Sequence, residues 1–329
     1  MAIKLDSYRV DDYKVYLENN EIKLTMHPNR GGLISSIITK EKGLEYLAPG
    51  QDILKTPDIL AFPSSDAIHN AFRGGYFEVI PNAGYKNKYN NVEWVLHSET
   101  PYIPWEIQFD EDENPNSILF IARLIRYPLT LYRRISLSGR KIIIKERLVN
   151  NSETELKFSW LHHPTFGGDI LDDSTELTLP TGKVISDEFL DIEDSEFFPG
   201  TTGNWPFLTS KRGSEIDISK YPPKGAQNTN DLIYYPDLLQ PRFTLYNNNK
   251  DFGISAEWDK SVFSTIWIWR CMGGGFSGPW YGRMYATSIE ITSSWPASGI
   301  SKQVENKTAL TIKEKGTIES FLNYTLIIK

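Results

Sequence analysis

Two adjacent histidines at the end of a strand-like segment are the first residues here that could perform acid–base chemistry. His162 and His163 follow an alternating apolar and polar run, and Pro164 directly after them interrupts strand pairing. An imidazole gains and loses a proton near neutral pH, so a ring at a strand end can serve a pocket as acid or base. Two hydrogen-bonded structural histidines would show the same pattern. The spacing leaves both interpretations open, and it does not decide between the two rings.

A single glutamate, Glu290, stands in a segment that is otherwise short of charge. Residues 286–296 read ATSIEITSSWP, so this carboxylate either lies on an exposed strand face or is buried with a raised pKa. Four of the nine tryptophans lie close by in the sequence, at positions 267, 269, 280 and 295. Indole faces stack on the C–H faces of sugar rings, although a tryptophan-rich core would show the same pattern.

The other histidines and the missing motifs narrow the chemistry further. His27 and His69 lie in turn-like or polar segments, and His97 follows a strand-like run, where a structural histidine is the commoner interpretation. The sequence contains no nucleophile elbow, no phosphate-binding loop, no dinucleotide glycine fingerprint and no H-E-x-x-H zinc motif. The single cysteine, Cys271, excludes an intramolecular disulfide and any CxxC site.

The overall composition predicts a folded chain that binds neither nucleic acid nor membrane. With 329 residues, 40% of them hydrophobic, the chain can bury a large core. Its 42 acidic residues outnumber 35 basic ones, which argues against a nucleic-acid partner. The short basic run at 132–134 lies inside a strand-like pattern and is interpreted as a solvated face. No apolar run approaches the ~18 residues of a spanning helix, and the first residues lack a signal core. We therefore expect a cytoplasmic protein.

The elements that must position these residues are strands. Short runs rich in Val, Ile, Thr, Tyr, Phe and Trp recur between Gly, Pro, Asn and Asp clusters, and sustained helical periodicity is absent. We predict an all-β fold, a large antiparallel β-sandwich, in a single domain over residues 1–329. The acidic, Pro- and Gly-rich stretch 186–224 carries few strand signals. Because loops of this length are often functional, we expect it to determine substrate preference.

Six segments, in this order, resemble the aldose 1-epimerase, or galactose mutarotase-like, superfamily. They are residues 22–47, 72–84, 97–105, 148–166, 230–234 and 288–296. The resemblance implies a β-supersandwich of antiparallel sheets, which agrees with the strand pattern. The sequence departs from the family in three places: His162 stands where Asn is usual, Gly167 and Gly168 replace a polar tail, and the segment around Glu290 lacks a common glutamine. These departures indicate a divergent member and leave the identity of the sugar open.

The resemblance also implies an activity and the roles of five residues. An aldose 1-epimerase interconverts the α and β anomers of an aldose by opening and closing the sugar ring, and it uses no cofactor and no metal. By resemblance Glu290 is the catalytic base at the C1 hydroxyl and His163 is the catalytic acid at the ring oxygen. Arg73, His97 and Asp231 would bind the sugar through its other oxygens.

Three alternatives to this activity stay open at the level of sequence. The first is a sugar-phosphate mutarotase of the same superfamily, in which Arg270 and Arg283 would meet the phosphate. The second is a carbohydrate-binding module without catalysis. The third is a glycoside hydrolase or lyase, which normally needs a second carboxylate beside Glu290, and Asp231 is the candidate for it. The expected partner is thus a monosaccharide or a sugar phosphate, and the oligomeric state is left open.

Overall fold

The computed structural model describes residues 2–9, 12–49, 74–109, 116–188, 193–277 and 280–329. Its helices are the short α1 (Ile300–Glu305) and 3-10 turns at Pro28–Arg30 and Thr100–Tyr102. Across the described ranges, no helix is both long enough and apolar enough to cross a membrane. The strands are β1 (Ala2–Arg9), β2 (Asp12–Glu18), β3 (Ile22–His27), β4 (Leu33–Thr39), β5 (Tyr76–Val79), β6 (Pro81–Asn82), β7 (Asn87–Tyr89), β8 (Val92–Trp94), β9 (Ser98–Glu99), β10 (Glu106–Phe109), β11 (Ser117–Arg123), β12 (Leu129–Ser138), β13 (Lys141–Asn150), β14 (Leu156–Phe158), β15 (Leu161–Phe166), β16 (Thr175–Thr178), β17 (Lys183–Ser186), β18 (Thr202–Asn204), β19 (Phe207–Thr209), β20 (Glu215–Asp217), β21 (Thr229–Tyr235), β22 (Arg242–Asn247), β23 (Phe252–Trp258), β24 (Thr265–Met272), β25 (Tyr285–Thr292), β26 (Leu310–Ile312) and β27 (Thr317–Ile328).

Two large antiparallel sheets form the architecture, which confirms the predicted all-β sandwich. The larger sheet has the order β1-β2-β3-β4-β5-β15-β25-β24-β21-β17-β18-β19-β20. The smaller one has the order β10-β11-β12-β13-β27-β23-β22-β16. Apolar residues from both sheets meet in one large hydrophobic cluster, while a second, smaller cluster lies around β15, β24 and β25.

Alternation explains why most strands bury one face and expose the other. In β13, Ile142 and Ile144 are buried, whereas Lys141 and Lys145 are exposed. Successive side chains of a strand point to opposite faces, and burying one isoleucine side chain stabilises the fold by about 1.5–3 kcal/mol. The strands β15 and β24 are different, because both of their faces are buried. Polar residues in these two strands are therefore enclosed on either side of the sheet.

The stretch 186–224 contains more strand than its sequence indicated. The strands β18, β19 and β20 lie in it and extend the larger sheet beyond β17. Each of them is only three residues long, and β18 reads Thr-Gly-Asn. Three residues are too few to show a period of two, so the sequence pattern misses these strands.

The strand β27 occupies the middle of the smaller sheet. It pairs with β13 on one side and with β23 on the other, both antiparallel. Its buried residues include Leu322, Tyr324 and Leu326, which belong to the larger hydrophobic cluster. The strands before it, β10–β13, and those after it in the sheet, β23, β22 and β16, are joined through it.

Candidate functional site

The structure brings His163 and Glu290 into contact. β15 and β25 are antiparallel neighbours, and His162 lies opposite Ile291. The residue after it, His163, therefore lies beside Glu290. Nε2 of His163 is 3.3 Å from Oε1 of Glu290. Their exposed fractions are only 4% and 3%. Two side chains far apart in the sequence thus converge on one face of the larger sheet.

The His163 ring is held from several sides. The ring of Phe77 stacks on it, with centroids 4.3 Å apart and an interplanar angle of 19°. Its Nδ1 lies 3.2 Å from the Ser288 hydroxyl and 3.3 Å from the Thr165 hydroxyl. The Ser288 hydroxyl also donates to the Pro164 carbonyl at 2.7 Å. The ring is therefore fixed in orientation as well as in position.

Burial decides the protonation of this pair. It raises the pKa of Glu290 well above the usual carboxyl value. It lowers the pKa of His163 well below the usual imidazole value, and the neighbouring His97 lowers it further. Both shifts favour uncharged groups. A neutral carboxylic acid beside a neutral imidazole holds one transferable proton, and this suits an acid–base pair.

His97 lies beside the pair, as expected for a residue of the same site. Its ring centroid is 5.3 Å from that of His163 and 6.0 Å from that of Phe77. The backbone of His97 is left-handed, with φ of 51°, a region in which histidine is several-fold enriched among non-glycine residues. Its Nδ1 donates to the Ala83 carbonyl at 2.6 Å. This hydrogen bond restricts the orientation of the ring beside the pair.

His162 points to the opposite face of the same strand. Its Nδ1 is 2.8 Å from the Tyr76 hydroxyl, and its Nε2 is 3.2 Å from a carboxylate oxygen of Glu146. The side chain is fully buried, and burial lowers its pKa to about 3. Of the two adjacent histidines, His163 is therefore the one that meets Glu290.

Asp231 does not lie with the pair. In the register of β21 and β24, Asp231 is opposite Arg270, whereas Leu232 is opposite Trp269. Trp267 of β24 lies opposite Glu290 of β25, so its side chain is on the same face of the sheet as Glu290. Trp269, two residues further along β24, is on that face as well. Since side chains alternate along a strand, Asp231 faces the other side of the sheet.

Asp231 has structural partners at its own location. Its Oδ1 accepts hydrogen bonds from the Ser195 hydroxyl at 2.7 Å and from the Glu196 amide at 2.9 Å. Together with Arg270 it lines a cavity of about 210 Å³ on that face. Arg73, the other residue expected to bind sugar, lies outside the described residues.

Three residues that the sequence analysis did not single out lie on the face of the pair. The carboxylate of Asp187 accepts hydrogen bonds from Tyr234 and from Tyr85, the latter at 3.2 Å. Burial raises the pKa of Tyr85 well above the usual phenol value, and Asp187 and Glu290 raise it further. Tyr234 lies opposite Trp267 in the row that also contains Glu290. The sequence offered one signal, because Asp187 falls in the stretch 186–224.

Two tryptophans complete the aromatic surroundings. The ring of Trp269 is 6.4 Å from that of His163, and Trp280 is 5.5 Å from Trp269. Both belong to the smaller hydrophobic cluster and keep 7% and 9% of their surface exposed. Both tryptophans are therefore core residues, and Trp269 also lies next to His163.

A second polar cluster lies on the inner face, behind β15. Ligand atoms of Glu78, Glu146 and His162 are within 4.8 Å of one another, an arrangement that could hold a metal ion. The guanidinium of Arg133 already supplies a cation here, with Nε 3.5 Å from Glu78 and 3.7 Å from Glu146. These residues therefore fit a buried ion-pair network better than a metal site.

This inner cluster corrects the interpretation of the basic run at 132–134. Arg133 is fully buried, whereas the residues on either side of it are partly exposed. Burial raises the pKa of Glu78 to about 8 and that of Glu146 to about 7. An arginine that compensates buried carboxylates is invisible in a sequence pattern, since a charged residue in an alternating strand normally marks the solvent face.

Comparisons with known proteins support the fold. No protein-family model and no curated protein matches this sequence. A "putative aldose 1-epimerase" from Klebsiella pneumoniae is similar with a TM-score of 0.73 at 14% identity, covering 99% of this chain and 83% of that chain. A galactose mutarotase-like protein from Clostridium acetobutylicum gives 0.69 at 13%, covering 100% and 99%. A galactose mutarotase related enzyme from Lactobacillus acidophilus gives 0.61 at 14%, covering 96% and 99%. The chain therefore has the antiparallel β-sandwich fold of the galactose mutarotase-like proteins, as the sequence resemblance implied.

Proposed function

We propose that this protein is an aldose 1-epimerase, which interconverts the α and β anomers of an aldose. The observation that supports this most directly is the buried contact between His163 and Glu290, at 3.3 Å. One group can accept a proton while the other donates one, as ring opening requires. The stacked Phe77 ring, the nearby His97 ring and the shared fold add further support.

In the proposed mechanism the pair moves two protons around one sugar. Glu290, as carboxylate, removes the proton of the C1 hydroxyl, and the C1–O bond gains double-bond character. The bond between C1 and the ring oxygen breaks while His163 gives its proton to that oxygen. Rotation about C1–C2 and the reverse transfers close the other anomer. Each positioned acid or base contributes typically ~10²–10⁴-fold to the rate. These proton transfers need neither a redox cofactor nor a metal.

The proposed sugar contacts that belong to the described residues come from the same face of the sheet. His97, beside the pair, would hold an oxygen near the reacting carbon, and Arg73 keeps the role implied by the resemblance. Asp187, which already accepts hydrogen bonds from Tyr85 and Tyr234, would accept from more distant hydroxyls. Asp231 was expected in this last role but lies on the opposite face. Contacts of this kind matter for rate, because a ~1 Å misplacement can cost about 10²-fold.

Within the described ranges, neither expected phosphate ligand lies beside the pair. Arg270, one expected phosphate ligand, is on the face of Asp231 and donates to the Lys220 carbonyl at 2.6 Å. Arg283, the other one, donates from Nε to the Trp280 carbonyl and lines a cavity of about 530 Å³ whose walls do not include the pair. We therefore propose a free aldose as the substrate class.

Saturation-exchange NMR across a panel of aldoses, each with and without phosphate, tests the proposal. We expect the protein to accelerate the exchange between anomers of at least one free aldose, and Glu290→Gln to remove the acceleration. Acceleration limited to phosphorylated sugars would assign the sugar-phosphate class instead. Binding without acceleration would indicate a carbohydrate-binding module, and release of reducing ends from an oligosaccharide would indicate a hydrolase.

A further inference from the structure

The hydroxyl of Ser288 has a single proton, and the geometry shows where it lies. Ser288 Oγ is 2.7 Å from the Pro164 carbonyl oxygen, the usual length of an O–H···O hydrogen bond. A carbonyl oxygen cannot donate, so the proton between these two oxygens belongs to Ser288. Without it, two oxygens with lone pairs would face each other at this distance. The Ser288 hydroxyl is therefore committed as a donor to the backbone of β15.

This commitment determines what Ser288 can offer to the neighbouring imidazole. Its Oγ is 3.2 Å from Nδ1 of His163. With its proton engaged elsewhere, the hydroxyl can only accept a hydrogen bond there. A hydrogen bond between the two therefore needs the proton on Nδ1, and the Thr165 hydroxyl, 3.3 Å from the same nitrogen, can accept from it as well. The two contacts of one serine therefore specify the protonated nitrogen of the histidine.

We propose that Ser288 is a positioning residue that fixes the tautomer of His163, with the proton on Nδ1 and with Nε2 as the acceptor facing Glu290. This inference rests on the proposed function for its catalytic meaning, although the tautomer itself can be measured without turnover. Ser288 acts through the imidazole and is not assigned any contact with the sugar.

The tautomer sets the proton inventory of the free site. Nε2 of His163 and Oε1 of Glu290 are 3.3 Å apart, and two unprotonated atoms would repel each other there. Burial favours the uncharged form of both groups, so the proton between them lies on the Glu290 carboxyl. Among the described residues, the titratable groups near the pair on other elements include His97 and Tyr85, and Asp187 accepts a hydrogen bond from the Tyr85 phenol.

This resting state has the protonation that the open-chain sugar requires. Before ring opening, the Glu290 proton moves to Nε2 of His163, leaving a carboxylate and an imidazolium. The carboxylate then takes the C1 hydroxyl proton, and the imidazolium gives its Nε2 proton to the ring oxygen. The open-chain aldose is thus accompanied by a neutral acid and a neutral imidazole, as in the free site. Nδ1 keeps its proton throughout, which is why a hydrogen-bond acceptor there suits both states.

Nitrogen NMR of histidine-labelled protein tests the inference directly, because a protonated ring nitrogen and an unprotonated one give different shifts. His163→Asn identifies the resonances to be followed. In the wild type we expect Nδ1 of His163 to be protonated and Nε2 to be unprotonated near neutral pH. The opposite assignment, with the proton on Nε2, would overturn the proposal.

Variants on β25 separate tautomer control from general packing. Ser288→Ala should allow both tautomers and should reduce the maximal rate of anomer exchange about tenfold with little change in KM, the size expected for one buried hydrogen bond. Ser288→Thr keeps a hydroxyl and should restore both the NMR signature and the rate. Thr287→Ala removes the next hydroxyl on the strand, which contacts Tyr221 and the Trp269 carbonyl, and should leave the His163 tautomer unchanged.

The outcomes distinguish this inference from the proposed function. The wild type could show no epimerase activity while its Nδ1 is protonated and Ser288→Ala contains both tautomers. That result would remove the proposed function and retain the tautomer control by Ser288. An active enzyme in which Ser288→Ala keeps the wild-type ring shifts and rate would remove the role of Ser288 and retain the function. If Ser288→Ala does not fold, the nitrogen shifts of His163 in the wild type and in Ser288→Thr still test the assigned tautomer.

Discussion

The strand β15 carries two contacts between an imidazole and a carboxylate, one on each face. On the inner face, His162 is 3.2 Å from Glu146, and on the outer face His163 is 3.3 Å from Glu290. The two distances are nearly equal, and both contacts are buried. Chemistry of the pair alone therefore does not distinguish a structural contact from a candidate catalytic one.

The surroundings provide the difference. The inner contact includes a buried cation, Arg133, and a second carboxyl group, Glu78, so that its charges are compensated within the core. In the outer contact, burial is the cause that raises the pKa of Glu290. A compensated network holds its protons in place, whereas a pair that burial keeps neutral has one proton that can move. Charge compensation, more than proximity, thus separates the two roles.

The largest expected effect would separate the two contacts by activity. Glu290→Gln and His163→Asn should each lower the rate of anomer exchange by about 10²–10⁴-fold, because each removes a positioned acid or base. Glu146→Gln, the matched change on the inner face, should leave the rate of the folded protein close to wild type. Saturation-exchange NMR measures all three. A Glu290→Gln protein that folds and stays fully active would contradict the assignment.

The second largest expected effect is a loss of stability when the cation of the inner contact, Arg133, is removed. Arg133→Met leaves two buried carboxyl groups without their cation and should lower the free energy of unfolding by about 3–5 kcal/mol. Urea unfolding at neutral pH measures this. Adding Glu78→Gln and Glu146→Gln to Arg133→Met should recover much of the loss. The exposed Arg123, which pairs with Glu106 at 2.9 Å, offers a control, and its change to Met should have a much smaller effect.

The smallest effect is a change in the pH dependence of stability. The raised pKa values of Glu78 and Glu146, about 8 and about 7, mean that the folded protein keeps protons that the unfolded chain releases near 4.5. The free energy of unfolding should therefore fall as pH rises from about 4.5 to about 8. His162, with its pKa lowered to about 3, acts in the opposite direction, but only up to its ordinary value of 6.5.

Between pH 6.5 and 8 the raised carboxyl groups should therefore dominate this slope. Glu78→Gln should make it shallower in urea titrations at several pH values. The exposed Glu106→Gln serves as the control and should leave it as in the wild type. Parallel slopes for the wild type and Glu78→Gln would show that the inner cluster does not keep its extra proton in the folded state.

The sequence predicted the fold class well, because the strand pattern is local. Alternation and turn residues mark the strands, and the candidate side chains stand out, the adjacent histidines at a strand end and Glu290 in an apolar run. The resemblance added the roles of these residues. It could not show which of the adjacent histidines meets Glu290, since a shift of one residue in register exchanges the two faces.

The positions of the other site residues could not be predicted, because they depend on pairings between strands that are distant in the sequence. Asp231 and Asp187 look alike in the sequence, and the register of β21 against β24 is what separates their faces. Arg133 looked like a surface residue because its compensating carboxyl groups lie on β5 and β13. The role of Ser288 depends on one hydrogen bond to the neighbouring strand, which no local pattern records.

The central place of β27 has a consequence for how this chain is made. The smaller sheet can be closed only when residues 317–328 are present, because they join its two halves through β13 and β23. During synthesis, which runs from the N-terminus, four strands on one side and three on the other must wait with unpaired edges. A chain that ends shortly before Thr317 would therefore leave the edges of β13 and β23 that β27 pairs without their partner, and unpaired strand edges promote aggregation.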